Sequence, residues 1–281
     1  MAESQVDVSV IVAVRNGAET LAQCIESVLS QTGCTVELII VDALSDDGTQ
    51  ELVESYGAAT AMYIREADRG IYDAWNKAIV MARGRWCAFL GADDYYVDEQ
   101  SVQALLQCGA QSVEAPVFVY GGVSRTGGLQ DFVNHPDPPD PSAYLRSGKM
   151  LPHPGSLHHL DALRSIGGFD SSFQISGDFD AVLKLARFGA VQRVDKVVTV
   201  MRVGGVSSAW ETRKQVADEH FRIVRRERGR LVAEVKRWQT SVLQFVGRAV
   251  EVSTFAILPE SAASGLVLRA RRLTGRPPKL L

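Results

Sequence analysis

The chain has 281 residues, of which 46% are hydrophobic and 22% are charged, a composition that is typical of globular proteins and excludes a disordered chain. The length fits one large domain or one domain with an appendage. Residues 213–281 carry 15 Lys+Arg against 6 Asp+Glu, a net charge of +9, whereas residues 1–212 carry a net charge of −12. A basic tail on an acidic body predicts an anionic partner for the tail.

Four apolar runs in the first 90 residues predict buried strands. Such runs suit parallel strands that are covered by helices on both faces, and they lie at 8–14, 36–41, 61–64 and 86–90. Apolar residues at helical spacing predict a helix after the first strand, with Leu21, Cys24, Ile25, Val28 and Leu29 on one face, and another after the third, with Ile71, Ala74, Trp75, Ala78, Ile79 and Ala82. A further helix is predicted to follow "SDDGT", with Asp46 or Asp47 as its N-cap. This alternation predicts an α/β fold with a doubly wound, mostly parallel sheet flanked by helices.

The later part of the chain has a different character. Residues 134–144 are rich in proline and aspartate and predict a loop, residues 178–188 predict a helix, and residues 191–203 predict two short strands. A charged, helix-compatible run extends from about Glu211 to Lys236. We therefore predict a domain over residues 1–210 and a helical, basic C-terminal extension over residues 211–281.

The termini and the cysteines bear on location. The acidic N-terminus leads directly into a strand, and the four cysteines have no metal-like spacing, so both features favour a cytoplasmic protein. The most apolar late stretch, residues 238–258, contains Arg248 and Glu251, which argues against a membrane-spanning helix. Apolar residues flanked by basic clusters predict instead that residues 213–281 dock on an anionic membrane surface, on the inner face of the cell membrane. The alternative is an appendage packed on the domain or on a second subunit of a homo-oligomer; no nucleic-acid recognition motif accompanies the charge.

Carboxylates stand where two of the predicted strands end. Asp42 ends the second strand, and Asp93 and Asp94 follow the fourth. Ligands of open α/β sheets bind at the carboxyl ends of the strands, so these groups are expected on one edge of the sheet. Carboxylate oxygens suit Mg²⁺ or Mn²⁺, and Mg²⁺ usually binds through one or two carboxylates plus substrate phosphates. The pattern predicts a divalent metal that carries a diphosphate, with a solvated turn as the alternative.

Five stretches of the sequence resemble glycosyltransferase family 2, the inverting enzymes with the GT-A fold, in the branch that assembles bacterial polysaccharides. They are "VSVIVAVRNGAETLAQCIESVLSQT", "ELIIVDALSDDGT", "EADRGIYDAWNKAIVMARGRWCAFLGADD", "IGGFDSSFQISGDFDAVLKLARFG" and "VGGVSS". The resemblance runs from Val8 to about Ser208. It implies that a sugar moves from a nucleotide diphosphate sugar, with a UDP-sugar as the first choice, to a hydroxyl of a glycan or a lipid-linked acceptor in cell-surface polysaccharide synthesis.

The resemblance also implies roles for individual residues. Asp178 in "SGDFD" would be the catalytic base, and Asp93 would be the direct metal ligand. Residues implied to line the nucleotide site are Ala13, Val14, Arg15, Asp42, Asp68, Arg69 and Asp94. His153 and Tyr72 are candidate substrate contacts.

Two positions depart from the family pattern. Gly91 stands where the common D-x-D begins with aspartate, and Gly177 stands where an acidic residue commonly precedes the base. Gly91 leaves open a non-catalytic member that only binds nucleotide. A nucleotidyltransferase is disfavoured because no glycine-rich, basic phosphate loop follows the first strand. A dinucleotide-dependent oxidoreductase is disfavoured because "AVRNGAET" lacks the G-x-G-x-x-G pattern.

Overall fold

The computed structural model describes residues 6–111, 114–127, 131–202 and 212–228. The chain divides into two units, Met1–Val203 and Gly204–Leu281, and each is described by itself. The predicted boundary at 210/211 and the predicted docking segment beyond residue 228 lie outside the described residues.

The first part of unit 1 alternates strands and helices as predicted. Its elements are β1 (Val8–Val14), α1 (Leu21–Leu29), β2 (Val36–Asp42), α2 (Thr49–Ser55), β3 (Met62–Arg65), α3 (Ile71–Met81) and β4 (Trp86–Gly91). Strands β1, β2 and β4 are buried along almost their whole length, because their apolar residues meet helices on both faces of the sheet. The N-cap of α2 is Gly48; neither Asp46 nor Asp47 has that position, although the Asp47 carboxylate accepts hydrogen bonds from Thr49.

The second part of unit 1 contains more strands than the sequence predicted. Its elements are β5 (Tyr95–Tyr96), α4 (Ser101–Ala110), β6 (Pro116–Thr126), β7 (Phe132–Asn134), α5 (Pro141–Arg146), β8 (Leu157–His159), α6 (Leu160–Ser165), α7 (Gly177–Leu185) and β9 (Ala190–Arg202). The loop predicted at 134–144 is wrong at both ends, because Asn134 belongs to β7 and α5 begins at Pro141. The two strands predicted at 191–203 form the single strand β9, whose register with β6 shifts between Tyr120 and Val123.

These strands form one sheet in the order β3-β2-β1-β4-β8-β6-β9-β5, with β7 paired to β6. β1 to β4 run parallel, as do β6 and β9, whereas the short strands β5, β7 and β8 pair antiparallel with their neighbours. The predicted α/β fold is confirmed, although the sheet is mixed. Val14 pairs with Asp42 and Ala13 with Gly91, so the carboxyl ends of β2, β1 and β4 lie side by side.

Unit 2 is described over one helix, α8 (Arg213–Arg228), within the run predicted to be helical. Ile223 and Val224 are buried on it, and Arg225 is exposed. In the described parts of the chain, every helix is too short or too polar to cross a bilayer.

Candidate active site

The loops that follow β1 and β2 are joined by hydrogen bonds at the carboxyl edge of the sheet. The backbone N–H of Asn16 donates to Ser45 Oγ at 2.8 Å, and that of Ala18 donates to Asp47 Oδ2 at 3.0 Å. Asn16 has a φ of 53°, a left-handed conformation that costs energy for a residue other than glycine and is often found at functional sites. Of the predicted nucleotide contacts here, Arg15 is exposed, whereas Ala13 and Val14 end the buried strand β1.

Asp42 has no exposed surface. Its Oδ1 accepts hydrogen bonds from the backbone N–H and the hydroxyl of Ser45, and its Oδ2 accepts one from the Tyr63 hydroxyl at 2.7 Å and lies 3.5 Å from Arg65 Nε. The Asp42 carboxylate, predicted to line the nucleotide site, is therefore bound by protein groups in this conformation. Asp42 instead holds Ser45, Tyr63 and Arg65 in place at the edge of the sheet.

Asp68 and Arg69 lie in the loop between β3 and α3. Asp68 Oδ1 accepts a hydrogen bond from the Gly70 backbone N–H at 2.9 Å. The Arg69 guanidinium donates to Asp73 Oδ1 at 2.9 Å while 80% of the arginine side chain stays exposed. An exposed ion pair is weak because water and salt screen it, so Arg69 can exchange Asp73 for a phosphate at small cost.

Asp93 and Asp94 converge over the backbone of Gly91. A Cβ atom built on Gly91 would lie 2.7 Å from Asp93 Oδ1 and 3.0 Å from Asp94 Oδ2, closer than ordinary van der Waals contact. Both carboxylates therefore fold back toward one point. A side chain at position 91 would require these carboxylate ends to shift, so Gly91 suits the observed arrangement of the pair.

The charge of this pair is only partly compensated. Asp94 is 6% exposed and accepts a hydrogen bond from the Gly91 backbone N–H at 3.3 Å. Burial and the neighbouring charge of Asp93 raise the pKa of Asp94 to about 7, against the opposing effects of the Gly91 and Arg202 backbones and the Arg125 guanidinium. Arg125 extends from β6, and its buried Nε has no hydrogen-bond partner among the described residues.

Two converging carboxylates fit a hard divalent cation. A cation between them would remove the repulsion that raises the pKa of Asp94, and Mg²⁺ commonly takes one or two carboxylates with the rest of its ligands from phosphates and water. Within the described residues there is no group of three or more His, Cys, Asp or Glu side chains that could hold a metal. Asp93 and Asp94 could therefore hold such an ion only together with a bound phosphate and water.

Asp178 lies in the first turn of α7, which begins at Gly177. Its Oδ1 accepts a hydrogen bond from the Phe179 backbone N–H at 2.8 Å and lies 3.3 Å from the Tyr72 hydroxyl of α3. A Cβ atom on Gly177 would lie 2.8 Å from the Tyr72 ring, so the second departure from the family pattern makes room for this ring. Tyr72, a candidate substrate contact, is 3% exposed and lies against the helix that carries Asp178.

His153 is also a core residue, contrary to its prediction as a substrate contact. It is 5% exposed, and its ring lies 5.3 Å from that of Trp75 and 4.8 Å from that of His158. Burial holds the pKa of His153 well below its usual value, so the ring is neutral. Trp75, predicted to belong to the core, lies in this aromatic cluster.

The sequence model of the family described as "Glycosyl transferase family 2" matches residues 9–141. An uncharacterised glycosyltransferase of Mycobacterium tuberculosis is 31% identical over 186 residues, covering 64% of this chain and 68% of the relative. The chain belongs to glycosyltransferase family 2.

Two other relatives of this family 2 chain are named for biosynthesis. A "PGL/p-HBAD biosynthesis glycosyltransferase" of M. tuberculosis is 27% identical over 181 residues, covering 61% of this chain and 66% of the relative. The succinoglycan biosynthesis protein ExoO of Rhizobium meliloti is 43% identical over 89 residues, covering 31% of this chain and 26% of that protein. The chain thus spans slightly under two thirds of the first relative and about a quarter of the second.

Solved structures support the fold. The mannosyltransferase PcManGT from Pyrobaculum calidifontis, in complex with GDP-Man and Mn²⁺, has a TM-score of 0.66 at 20% identity, covering 97% of this chain and 84% of that one. Residues 1–349 of S. aureus TarS, in complex with UDP-GlcNAc, have a TM-score of 0.60 at 16% identity, covering 95% and 88%. At these identities the likeness concerns the fold.

Several residues of the site were not predicted from the sequence. Ser45, Tyr63 and Arg65 surround Asp42, and Arg125 acts on Asp94 from a strand that the sequence analysis did not identify. The apolar run "VFVY" at the start of β6 is the feature that could have revealed this strand and, with it, Arg125.

Proposed function

We propose that the chain is an inverting glycosyltransferase that moves a sugar from a nucleotide diphosphate sugar, with a UDP-sugar as the first choice, to a hydroxyl of a glycan or a lipid-linked acceptor in cell-surface polysaccharide synthesis. The observation that carries this proposal is the convergence of Asp93 and Asp94 at the carboxyl edge of the sheet. Family membership supports it, as do the relative named for succinoglycan biosynthesis and the fold neighbours solved with UDP-GlcNAc and GDP-Man.

The described residues suggest how the reaction proceeds. The ionised carboxylate of Asp178 accepts the proton of the acceptor hydroxyl while that oxygen attacks the anomeric carbon. The bond from the anomeric carbon to the diphosphate oxygen breaks on the opposite face, so a single displacement inverts the configuration. Arg69 pairs with a phosphate, and Asp93 and Asp94 would hold a divalent cation. When bound, that cation neutralises charge on the departing diphosphate.

Binding and turnover together test this proposal. Thermal shifts are measured with UDP-GlcNAc, UDP-glucose and GDP-mannose, each with and without Mn²⁺. Release of the nucleotide is then followed for the sugar nucleotide that raises the melting temperature of the protein most. Asp178→Asn should keep the shift and lose turnover by about 10²-fold or more, as expected for a general base. The matched control is Asp161→Asn, at an exposed carboxylate of α6.

Three outcomes would count against parts of the proposal. Full turnover in Asp178→Asn rejects the assignment of the base. Binding without turnover in the parent chain favours the non-catalytic alternative. No Mn²⁺-dependent shift with any of the three sugars argues against the carboxylate pair as a metal site.

We also propose that residues 213–281 dock on an anionic membrane surface and so bring the enzyme to a lipid-linked acceptor. The net charge of +9 in this segment supports docking, because each Lys or Arg near such a surface contributes about 1 kcal/mol. Co-sedimentation with anionic liposomes should be strong at low salt and weak with neutral lipid. Equal recovery of the full chain in the supernatant with both lipids would reject docking.

A further inference from the structure

Helix α3 binds the segment that precedes α7 at two places. The first is Asn76, whose Nδ2 donates to the Phe169 carbonyl at 2.7 Å and whose Oδ1 accepts from the Phe169 backbone N–H at 2.8 Å. A side-chain amide that pairs with both groups of one residue fixes the position of that residue along the chain. A Cβ atom on Gly168 would lie 2.4 Å from Asn76 Oδ1, and its φ of +72° also favours glycine, so the sequence at this point permits the close approach.

The second place is Tyr72, one helical turn before Asn76. Its hydroxyl donates to the Ile175 carbonyl at 2.6 Å and lies 3.3 Å from Asp178 Oδ1. Its ring stacks on that of Phe169 at 5.6 Å and lies against the backbone of Gly177. Residues 169–178 are therefore attached to α3 near both ends, and the second attachment, at the Ile175 carbonyl, lies next to the Asp178 carboxylate.

The loop of Asp68 and Arg69 leads directly into the same helix. Gly70 is the N-cap of α3, and the Asp73 carboxylate binds both the backbone N–H and the guanidinium of Arg69. One rigid helix thus holds the loop predicted to bind phosphate at its start and the segment with Asp178 along its side. A shift of α3 would move both groups together.

We propose that Tyr72 is a positioning residue for Asp178, with Asn76 as the second attachment of the same segment. This inference rests on the proposed function, because it takes Asp178 as the group that accepts the proton. The Ile175 carbonyl can only accept, so the single proton of the Tyr72 hydroxyl goes to that carbonyl at 2.6 Å or is shared between it and Asp178 Oδ1 at 3.3 Å. Removal of the hydroxyl takes away its contacts with the Ile175 carbonyl and with the Asp178 carboxylate.

The test compares Tyr72→Phe with Tyr120→Phe. Each variant keeps a buried ring and loses one hydroxyl that lies near a backbone carbonyl, since the Tyr120 hydroxyl donates to Pro136 at 3.3 Å. Tyr72→Phe should lower kcat by about ten-fold with KM nearly unchanged, the lower end of what a hydrogen bond to a charged group contributes. Tyr120→Phe should leave both constants near those of the parent. The substrate is the sugar nucleotide chosen by thermal shift from UDP-GlcNAc, UDP-glucose and GDP-mannose.

Hydrogen–deuterium exchange gives a second readout that needs no turnover. Amides of residues 175–179 should exchange faster in Tyr72→Phe than in the parent. In Tyr120→Phe they should exchange at the parent's rate. Exchange in that segment equal to the parent's, or kcat equal to that of Tyr120→Phe, overturns the inference. Asp178→Asn distinguishes failure of the proposed function from failure of the Tyr72 inference. If Asp178→Asn keeps full turnover, the proposed function fails. If Asp178→Asn is inactive and Tyr72→Phe matches Tyr120→Phe, only the inference about Tyr72 fails.

Discussion

Gly177→Ala adds one methyl group where the structure leaves no room for it. The new Cβ would lie 2.8 Å from Tyr72 Cε2 and 2.9 Å from Cδ2 and Cζ of the same ring. The ring cannot retreat freely, since it stacks on Phe169 and meets Trp75 edge-on at 5.5 Å. We therefore expect α7 to move away from α3, and the Asp178 carboxylate to move with it.

The size of the effect follows from two opposing contributions. Overpacking a filled core costs about 1–3 kcal/mol. Replacing glycine by alanine in a helix returns at most about 1 kcal/mol, and less at the first helical position, where Gly177 lies. The free energy of unfolding should fall by about 1–2 kcal/mol, and Tm should fall by about 2–4 °C for each kcal/mol in a domain of this size.

Thermal melts and urea titrations measure this loss, with Gly109→Ala as the matched control. Gly109 is a buried helical glycine whose added Cβ would meet nothing closer than 3.4 Å, so its replacement should be neutral or stabilising. Tyr72→Leu removes the ring, and the cost of Gly177→Ala should shrink in that background, as a double-mutant cycle would show. Equal stability of Gly177→Ala and the parent, or a cost that Tyr72→Leu leaves unchanged, would refute the reasoning.

Two further predictions concern the carboxylates. Gly91→Ala should weaken Mn²⁺ binding by about 10–100-fold, because the new Cβ displaces both Asp93 and Asp94 and metal sites tolerate only small changes in the groups around their ligands. Calorimetry in the presence of the chosen sugar nucleotide measures this affinity. Unchanged affinity would contradict the prediction. Burial raises the pKa of Glu37, but the hydrogen bonds from Ser9 and Arg83 lower it by a larger amount. The net pKa therefore lies below the ordinary value of 4.5. The stability that ionised Glu37 contributes is therefore present above pH 4.5, and it is lost as the pH falls through the lower pKa of the folded state. The Tm difference between the parent and Glu37→Gln should narrow below pH 4.5. A Tm difference that stays constant with pH would contradict this.

The sequence was sufficient for the four parallel strands and the helices between them. Their apolar runs are long, and each is bounded by turn residues, so hydrophobic pattern alone locates β1, β2 and β4. The short strands β5, β7 and β8 have only two or three residues each, too few to show a period, and they exist because neighbouring strands pair with them. For the same reason the sequence could not predict that β8 inserts between β4 and β6.

The candidate site was predictable only in part. The strand-end position of Asp42, Asp93 and Asp94 follows from the alternation of strands and helices, whereas the burial of Asp42 depends on Tyr63 and Arg65, which come from the neighbouring strand. The face of α3 was predicted one residue out of phase at its start. Ile71, assigned to the buried face, is 37% exposed, and Tyr72 is buried in its place.

The two departures from the family pattern have the same physical basis. Each places a glycine where another residue's side chain lies against the backbone: the carboxylates of Asp93 and Asp94 at Gly91, and the ring of Tyr72 at Gly177. An acidic side chain at position 177 would meet the Tyr72 ring, and one at position 91 would require the ends of the Asp93 and Asp94 side chains to shift. An aspartate at 91 would displace the carboxylate pair, and a glutamate at 177 would displace the tyrosine that contacts Asp178. Gly91 and Gly177 therefore suit this site's own packing, and neither is by itself a reason to expect that the chain has lost catalysis.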